Sequence, residues 1–489
     1  MEGSFLEAEQ SALGPSPDGP LQAGEPGPDW ETTRYLAAAT QLNPRYARWV
    51  VREIIGEPFR AVAPAAGADV VVVTRWALAA LRRQAWRDAA LTSLLILGVG
   101  LALAAWTWIP VAVMVVLAIL AVASERWVRD EMVISRSMLR GRFHTHSAPP
   151  PWSLRVKKRL DVVRKQQDGN LVVFRGNSAF VGSGDCVVHE RILVNAALGK
   201  RKNGKRQPPI PFSNSELYDA LEEALRDMDF PDLQVSRRLY VNGEHVAAHP
   251  RLLSTELGPP VANASADYLH EGCVNPTPEA RTYLHAEIGG WKGQLVVSLF
   301  TRAVQAHGSL QVEWEFHLLL PLDDRLLEID HRYEQRKIRQ FASALAAGIA
   351  RFIPSLIRAP VDLARYAVIP VADRIRARRQ RYEMRNGYVF NYGSPRSIRE
   401  NAISYGLPHY FLAQDELTFI LLAEHTMLRA LGRFLNEHKI DMKQFTDQEQ
   451  TFIKKVRSKY NIDNTNVENV TVGTKAHVEF NKKSQTSGS

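Results

Sequence analysis

The segment FVGSGDCVVHE contains the side chains best suited to chemistry. Ser183, Asp185, Cys186 and His189 are close together in the sequence. A thiol or hydroxyl beside an imidazole can form a nucleophile with its general base. Glycines on both sides of Ser183 are also typical of a turn between two strands. The turn is the preferred interpretation, and an enzymatic site here remains an alternative.

Other groups of polar residues give weaker indications of a catalytic or metal-binding site. His144 and His146 have no cysteine or carboxylate close by in the sequence to complete a metal-binding set. Adjacent carboxylates such as Asp323 and Asp324 would point apart on a regular element. HExxH, CxxC and phosphate-binding GxxxxGK[ST] motifs are absent from the sequence. We predict no catalytic, cofactor-binding or metal-binding residue, which favours a non-enzymatic protein without a cofactor.

Basic residues are concentrated in one segment. The chain carries a net charge of +9, and Arg332–Arg385 contains 13 basic and 4 acidic residues. Such a segment indicates an acidic partner, either phospholipid or nucleic acid. The basic loop Gly199–Arg206 has no interleaved aromatic residues, so the sequence gives no specific nucleic-acid signal.

Within this segment the apolar residues recur every three or four positions, as in an amphipathic helix. Arginines interrupt every apolar run, so we predict no membrane span, and three prolines predict several short helices. Two interpretations remain open: helices on an anionic membrane surface, or a helical cap on the neighbouring domain. The predicted lipid-contacting residues are Arg351, Arg358, Arg365, Arg374 and Arg376.

The next segment, NYGSPRSIREN, has the pattern of a helix start. Ser394 is a predicted N-cap, and proline follows it at the first helical position. Helix N-termini bind anions, and Arg396 and Arg399 would add positive charge. Ordinary capping is the favoured interpretation, and an anion-binding site at Ser394, Arg396 and Arg399 is the alternative.

A long apolar stretch precedes these elements. Ala89–Ala123 contains no charged residue. One helix of this length would be about 52 Å long, against roughly 30 Å of hydrocarbon in a bilayer. Trp106–Pro110 divides it into two shorter spans, Ala89–Ala105 and Ile109–Ala123. Arginines flank both ends, so the positive-inside rule predicts both ends in the cytoplasm. A buried hairpin in a soluble protein is the alternative.

The fold class predicted from these patterns is α+β: a transmembrane helical hairpin, then a cytosolic α+β domain and a C-terminal helical region. The final segment alternates apolar and polar residues, which predicts either a last strand in a flexible tail or a cross-β motif that recruits another chain. The predicted units are a disordered acidic tail (1–30), a helical N-terminal region (31–88), the hairpin (89–123), a juxtamembrane linker (124–151), the α+β domain (152–330), basic amphipathic helices (331–386), C-terminal helices (387–460) and the flexible tail with its strand motif (461–489).

Two segments carry a family resemblance. NPRYARWVVREIIGEPFRAVAPAAGADVVVV and NYGSPRSIRE resemble a group of uncharacterised two-span membrane proteins of high-GC actinobacteria. The resemblance implies an integral protein of a bacterial plasma membrane and implies no catalytic residue. Together with the charge pattern it predicts that both termini are cytoplasmic.

These features support three functional hypotheses. The preferred one is a membrane-anchored cytosolic binding or scaffold protein. Its partners would be the lipid bilayer, anionic phospholipid, and a protein partner or another copy of the chain. The second is a membrane-active defence or toxin effector assembled through the C-terminal strand motif. The third is an enzyme with its site in the α+β domain.

Overall fold

The computed structural model describes residues 30–459, apart from positions 204, 229, 231, 292, 328, 333–336 and 405–409. Residues 1–29 of the predicted acidic tail lie outside the described residues. The strand motif predicted in 461–489 lies outside them as well. The fold is mixed α+β, with apolar helices first, a sheet next and helices last. The predicted fold class is therefore confirmed.

The main helices and the strands are numbered in chain order. The helices are α1 (Trp30–Leu42), α2 (Pro44–Ile54), α3 (Val70–Ala105), α4 (Ile109–Trp127), α5 (Leu154–Gln167), α6 (Asn214–Arg226), α7 (Ala266–Val274), α8 (Lys337–Arg385), α9 (Tyr410–Glu437) and α10 (Lys443–Lys459). The strands are β1 (Leu171–Phe174), β2 (Asp185–Asn195), β3 (Arg201–Lys202), β4 (Lys205–Arg206), β5 (Leu233–Asn242), β6 (Ala280–Gly290), β7 (Leu295–Ala306) and β8 (Ser309–Leu319).

Helices α1, α2 and the first half of α3 form an N-terminal helical body with its own apolar core. Helix α3 begins after Asp69, whose side chain accepts hydrogen bonds from Val71 N and Val72 N at 2.8 and 3.0 Å. This N-cap satisfies donors that the first helical turn leaves unpaired. Val73 and Ala77 are fully buried in the core, so this half of α3 is an ordinary core helix.

The second half of α3 has a different environment. Most of its large apolar side chains face outward, and Leu103 is 73% exposed, although Leu91 is buried. The chain turns at Trp106, which has a left-handed backbone (φ 50°), and α4 returns from Ile109. A Cβ on Gly98 would lie only 2.8 Å from Met114 Cβ, so this glycine permits the two helices to approach closely. The helices end and begin at the residues predicted for the turn.

Helix α8 is continuous from Lys337 to Arg385, with Pro354, Pro360 and Pro370 inside it. The prediction of several short helices is therefore wrong. A proline inside a helix costs about 3 kcal/mol, and packing against α3 and α4 offsets that cost here. Leu356 and Ala359 are buried in one cluster with apolar residues of both helices.

Three helical segments are long and apolar enough to cross a membrane. They are Val70–Ala105, Ile109–Ser137 and Phe341–Arg385. The sequence pattern predicted no span in the last of these, because arginines interrupt its apolar runs. By length and composition, however, this segment also qualifies, since its most apolar window has at most two charged residues.

The central sheet has six strands in the order β1-β5-β6-β7-β8-β2. Strands β1 and β5 are parallel, and the other neighbouring pairs are antiparallel. One face packs on α6 and α9, where Trp314 and Phe316 are fully buried. The outer edge of β2 is protected by α10, since Gln448 bonds both N and O of Leu193. This contact covers an edge that would otherwise be open to pairing.

A buried ion pair joins the end of the sheet region to the N-terminal helical body. Both terminal nitrogens of Arg34 donate to the Asp330 carboxylate, at 2.6 and 2.9 Å, and Tyr35 donates to it at 2.9 Å. The Arg34 side chain is fully buried. Partial burial would raise the pKa of Asp330, but the hydrogen bonds and charge of Arg34 outweigh it and lower that pKa. Asp330 is therefore ionised around neutral pH.

The ion pair predicts the effect of Asp330→Asn. The neutral amide would remove the carboxylate to which both terminal nitrogens of the buried Arg34 donate, which should lower the free energy of unfolding by about 3 kcal/mol. The exposed Asp324 provides the control, because Asp324→Asn should change stability little. Thermal unfolding of the detergent-solubilised chain measures both variants, and equal melting temperatures for the two would contradict the assignment.

The same pair predicts a pH dependence. Because the folded-state pKa of Asp330 is lowered, its contribution is complete above the unfolded value of about 3.9 and is lost as the pH falls through the folded value. The stability gap between the native chain and Asp330→Asn should therefore narrow as the pH is lowered from about 7 to about 3. A gap that stays constant over this range would show that the charge of Asp330 does not contribute.

Candidate functional site

A pocket of about 330 Å³ lies where α3, α4 and α8 meet the N-terminal helical body. A second cavity, of about 430 Å³, shares three of its arginines and extends toward Tyr46. We call the first cavity the basic pocket, because its lining includes one carboxylate and five guanidinium groups. These charged residues are Glu125, Arg87, Arg126, Arg129, Arg351 and Arg358.

Three separate elements bring these arginines together. Arg87 ends the charged part of α3 just before the uncharged stretch, and Arg126 follows that stretch at the end of α4. Arg129 lies in a π-helical segment, Val128–Ile134, that continues α4. Arg351 and Arg358 are seven residues apart on α8 and therefore share a helix face. The pocket thus forms at the point where the apolar hairpin meets charged sequence.

Neighbouring carboxylates neutralise only part of this charge. Arg87 pairs with Asp88 at 2.6 Å, and Arg129 pairs with Asp130 at 2.7 Å. Arg126 lies farther from Asp130, at 3.7 Å, and its Nε is buried without a hydrogen-bond partner among the described residues. A buried donor of this kind costs free energy unless a ligand or water satisfies it. The arrangement therefore suits an anion.

Within the part of the chain that the structure describes, Arg351 and Arg358 have no carboxylate partner, although both line the pocket. They are exposed on the side that opens to solvent. Their charges are consequently available to a ligand that enters between α4 and α8.

The other three predicted lipid-contacting arginines lie outside the pocket. Arg365 pairs with Asp362 on its own helix at 3.3 Å. Arg376 pairs with Asp373 at 2.8 Å and lies 3.9 Å from Glu57 of the N-terminal helical body. Arg374 is exposed. The structure thus divides the predicted set into two pocket residues and three residues farther along α8.

The predicted anion site around Ser394 lacks the helix on which it depended. Residues 391–399, all of which are described, contain no α-helix, and Ser394 N donates to Val173 O in an extended segment. Pairing with the end of β1 therefore replaces the predicted N-cap. Arg396 is exposed, and Arg399 is fully buried.

The Arg399 guanidinium has a clear structural role. It donates to the carbonyl oxygens of Ala66, Gly293 and Gln294, with the last two at 2.5 and 3.1 Å. These carbonyls belong to two distant segments, so the side chain holds the loop before α3 against the turn before β7. The sequence contained no signal for this role, because the three acceptors are backbone atoms far away along the chain.

The turn predicted at Gly182–Asp185 is present. Ser183 N donates to Phe180 O, and Gly182 and Gly184 both have left-handed backbones. Glu400 Oε1 accepts from the N–H groups of both glycines, at 2.7 and 3.2 Å. The carboxylate therefore fixes the shape of the turn that leads into β2.

Arg399→Lys tests the structural role of Arg399. A lysine ammonium cannot donate to both segments in the planar fork of a guanidinium, so we expect a loss of about 2 kcal/mol in the free energy of unfolding. Arg396→Lys is the matched control and should leave stability unchanged, because Arg396 is exposed. Chemical unfolding followed by circular dichroism measures both variants, and a stable Arg399→Lys chain would refute this role.

Comparison with known proteins gives one match. No curated protein and no solved structure is similar to this chain at a significant level. The family model of the AbeC-like domain, however, matches residues 189–474, which is more than half of the chain. The matched region begins in β2, includes α8 with two arginines of the basic pocket, and leaves out the apolar hairpin. The chain belongs to the AbeC-like domain family.

Proposed function

We propose that this protein is a membrane-anchored binding or scaffold protein, with the α3–α4 hairpin as its anchor and the basic pocket as a site for an anionic phospholipid headgroup. The remaining domain would face the cytoplasm of a bacterium, of the actinobacterial type that the sequence resembles, and present a surface to a protein partner or a second copy. No catalytic step is part of the proposal.

The observation that carries this proposal is the position of the five arginines relative to the exposed apolar surface. Most large apolar side chains of the α3–α4 hairpin are exposed up to its tip, and the arginines of the basic pocket lie at its base. Side chains at this boundary would be level with lipid phosphates when the hairpin is in a bilayer. Guanidinium groups bind phosphate oxygens through paired hydrogen bonds.

The contacts of α8 support a helix that lies along the membrane surface. Seven residues before it begins, Asp330 bonds Arg34 of the N-terminal helical body. Near its other end, Gln380 donates to Glu57 of the same body at 2.8 Å. A helix that crossed the bilayer would have its ends separated by roughly 30 Å of hydrocarbon. The contact of Gln380 with this body, together with the bond of Asp330 to the same body shortly before the helix, favours a helix on a single side.

The exposed side chains of α8 agree with a surface position. Ile349, Ile353, Ile357 and Val361 recur every four residues and are each more than half exposed. Such a stripe, in a helix that also carries many arginines, is the pattern of interfacial helices. A Cβ on Gly348 would lie 3.0 Å from Ala123 Cβ, at the base of the hairpin and not at its tip. We therefore propose two spans and one surface helix.

The proposed orientation follows from charge and aromatic residues. Trp106 and Trp108 are 94% and 77% exposed at the hairpin tip, where tryptophans suit a membrane interface. Arginines are placed on both sides of the hairpin base, which the positive-inside rule puts in the cytoplasm. Both termini would then be cytoplasmic. The strand motif of the effector hypothesis lies outside the described residues, so that hypothesis stays a prediction.

Lipid titration of the full-length protein in detergent tests the proposal. We expect Arg351→Gln/Arg358→Gln to weaken binding of short-chain phosphatidylglycerol by roughly 10- to 30-fold, since each arginine contributes about 1 kcal/mol. Native mass spectrometry counts the bound lipid directly. Phosphatidylcholine, which has no net charge, should bind the native protein more weakly than phosphatidylglycerol.

Arg365→Gln/Arg374→Gln is the matched control, with the same loss of charge on the same helix outside the pocket. It should bind phosphatidylglycerol as the native chain does. If both double variants lose affinity equally, general charge attraction explains binding and the pocket has no special role. If neither loses affinity, the headgroup does not bind there.

A further inference from the structure

Two adjacent strands bring four potential metal ligands together. Cys186 Sγ, a Glu315 carboxylate oxygen and a His317 ring nitrogen all lie within 4.8 Å of one another. His189 Nδ1 is 3.0 Å from Glu315 Oε1, and His317 Nε2 is 3.3 Å from Glu315 Oε2. The glutamate carboxylate therefore lies between two imidazoles, with a thiol beside them.

A β-bulge produces this convergence. Cys186 pairs with His317 and His189 pairs with Glu315, whereas Val188 pairs with Phe316. Residues three apart in a regular strand point to opposite faces of the sheet. The irregularity between Cys186 and Val188 adds one residue to β2 and returns Cys186 to the face of His189. Val188 and Phe316 are buried on the other face, so the four polar side chains share one surface.

The surroundings of His317 fix the orientation of its ring. Its Nδ1 is 3.3 Å from Gly184 O, and the rings of Phe180 and Phe300 pack against it at 5.0 and 5.3 Å. If Gly184 O accepts from Nδ1–H, Nε2 is the unprotonated nitrogen and can bind a metal beside Glu315, which is the usual arrangement of a metal-binding histidine. Gly184 is required in this turn, since its φ is +80° and a Cβ would clash with Leu318 O.

We propose that Cys186, Glu315 and His317 form a binding site for a divalent transition metal of the zinc class, with water as the fourth ligand and His189 holding the Glu315 carboxylate in place. Thiolate, imidazole and carboxylate are the ligand types that zinc takes in proteins, usually four in a tetrahedron. Bonds of about 2.0 to 2.3 Å place tetrahedral ligand atoms roughly 3 to 4 Å apart. The ligand atoms of Cys186, Glu315 and His317 lie within 4.8 Å of one another, so small side-chain movements would bring them to that spacing. Cys186 and His189 are exposed, so a metal ion can reach the site from solvent.

The metal would join β2, an edge strand of the sheet, to β8. Gln444 and Gln448 of α10 already bond the far end of β2, at Asn195 and Leu193. The near end, at Asp185 and Cys186, follows the glycine turn. A metal bridge at this end would hold the strand at its start as α10 holds it at its end.

Cobalt titration of the full-length protein, stripped with EDTA in detergent, tests the site. We expect one Co²⁺ per chain, with visible bands of a tetrahedral complex and a near-ultraviolet band from a cysteine thiolate bound to cobalt. Added Zn²⁺ should remove both. Cys186→Ser should abolish the thiolate band and weaken binding at least 10-fold. Since Cys186 is exposed, this variant should fold, as circular dichroism would verify.

Cys273→Ser is the matched control, because it removes the other thiol. Burial raises the pKa of Cys273 to about 11, so it stays protonated and should not bind cobalt. His189→Ala, also at an exposed position, should weaken Co²⁺ binding while leaving the thiolate band in place. A native chain without either band at saturating Co²⁺, or a thiolate band that persists in Cys186→Ser, would overturn the proposal.

Discussion

The central constraint in this structure is the continuity of α3 (Val70–Ala105). Its first half is packed in the core of the N-terminal helical body, and its second half is an exposed apolar helix. Because α3 is one unbroken helix, the position and direction of the hairpin are fixed relative to the N-terminal helical body. The other large elements contact α3 directly or through the N-terminal helical body. Helix α4 runs back alongside α3, and α8 packs on both α3 and α4. The Arg34–Asp330 pair connects the sheet region to α1. If α3 bent near Arg87, the basic pocket would lose its shape.

The basic pocket follows from that geometry. Two helices that leave an apolar region side by side bring their first charged residues together, and α8 adds two more arginines across the base. Such clustering of like charge is unfavourable without a counter-ion, which is why the anionic headgroup is central to the proposal. The family match covers residues 189–474, so most of the sheet, α8 and the C-terminal helices belong to the AbeC-like domain, while the apolar hairpin lies outside the matched residues.

Local patterns predicted local features well. The break between α3 and α4 follows from Trp106–Pro110, and the turn at Gly182–Asp185 follows from its glycines. Features that depend on distant partners could not be predicted. The prolines of α8 are tolerated because two other helices pack against it, and Ser394 bonds β1 instead of capping a helix. The proposed metal-binding cluster needs both a bulge in β2 and its register with β8, neither of which a single sequence reveals.

The most direct test of the account is the sidedness of both ends of α8 relative to the hairpin tip. Single cysteines at Thr107, Arg339 and Tyr388, in a chain whose native cysteines are replaced by alanine, would be labelled with a membrane-impermeant maleimide. We expect labelling of position 107 in intact cells, and of positions 339 and 388 only after permeabilisation. Labelling of positions 339 and 388 from opposite sides would show that α8 is a third span and contradict the account.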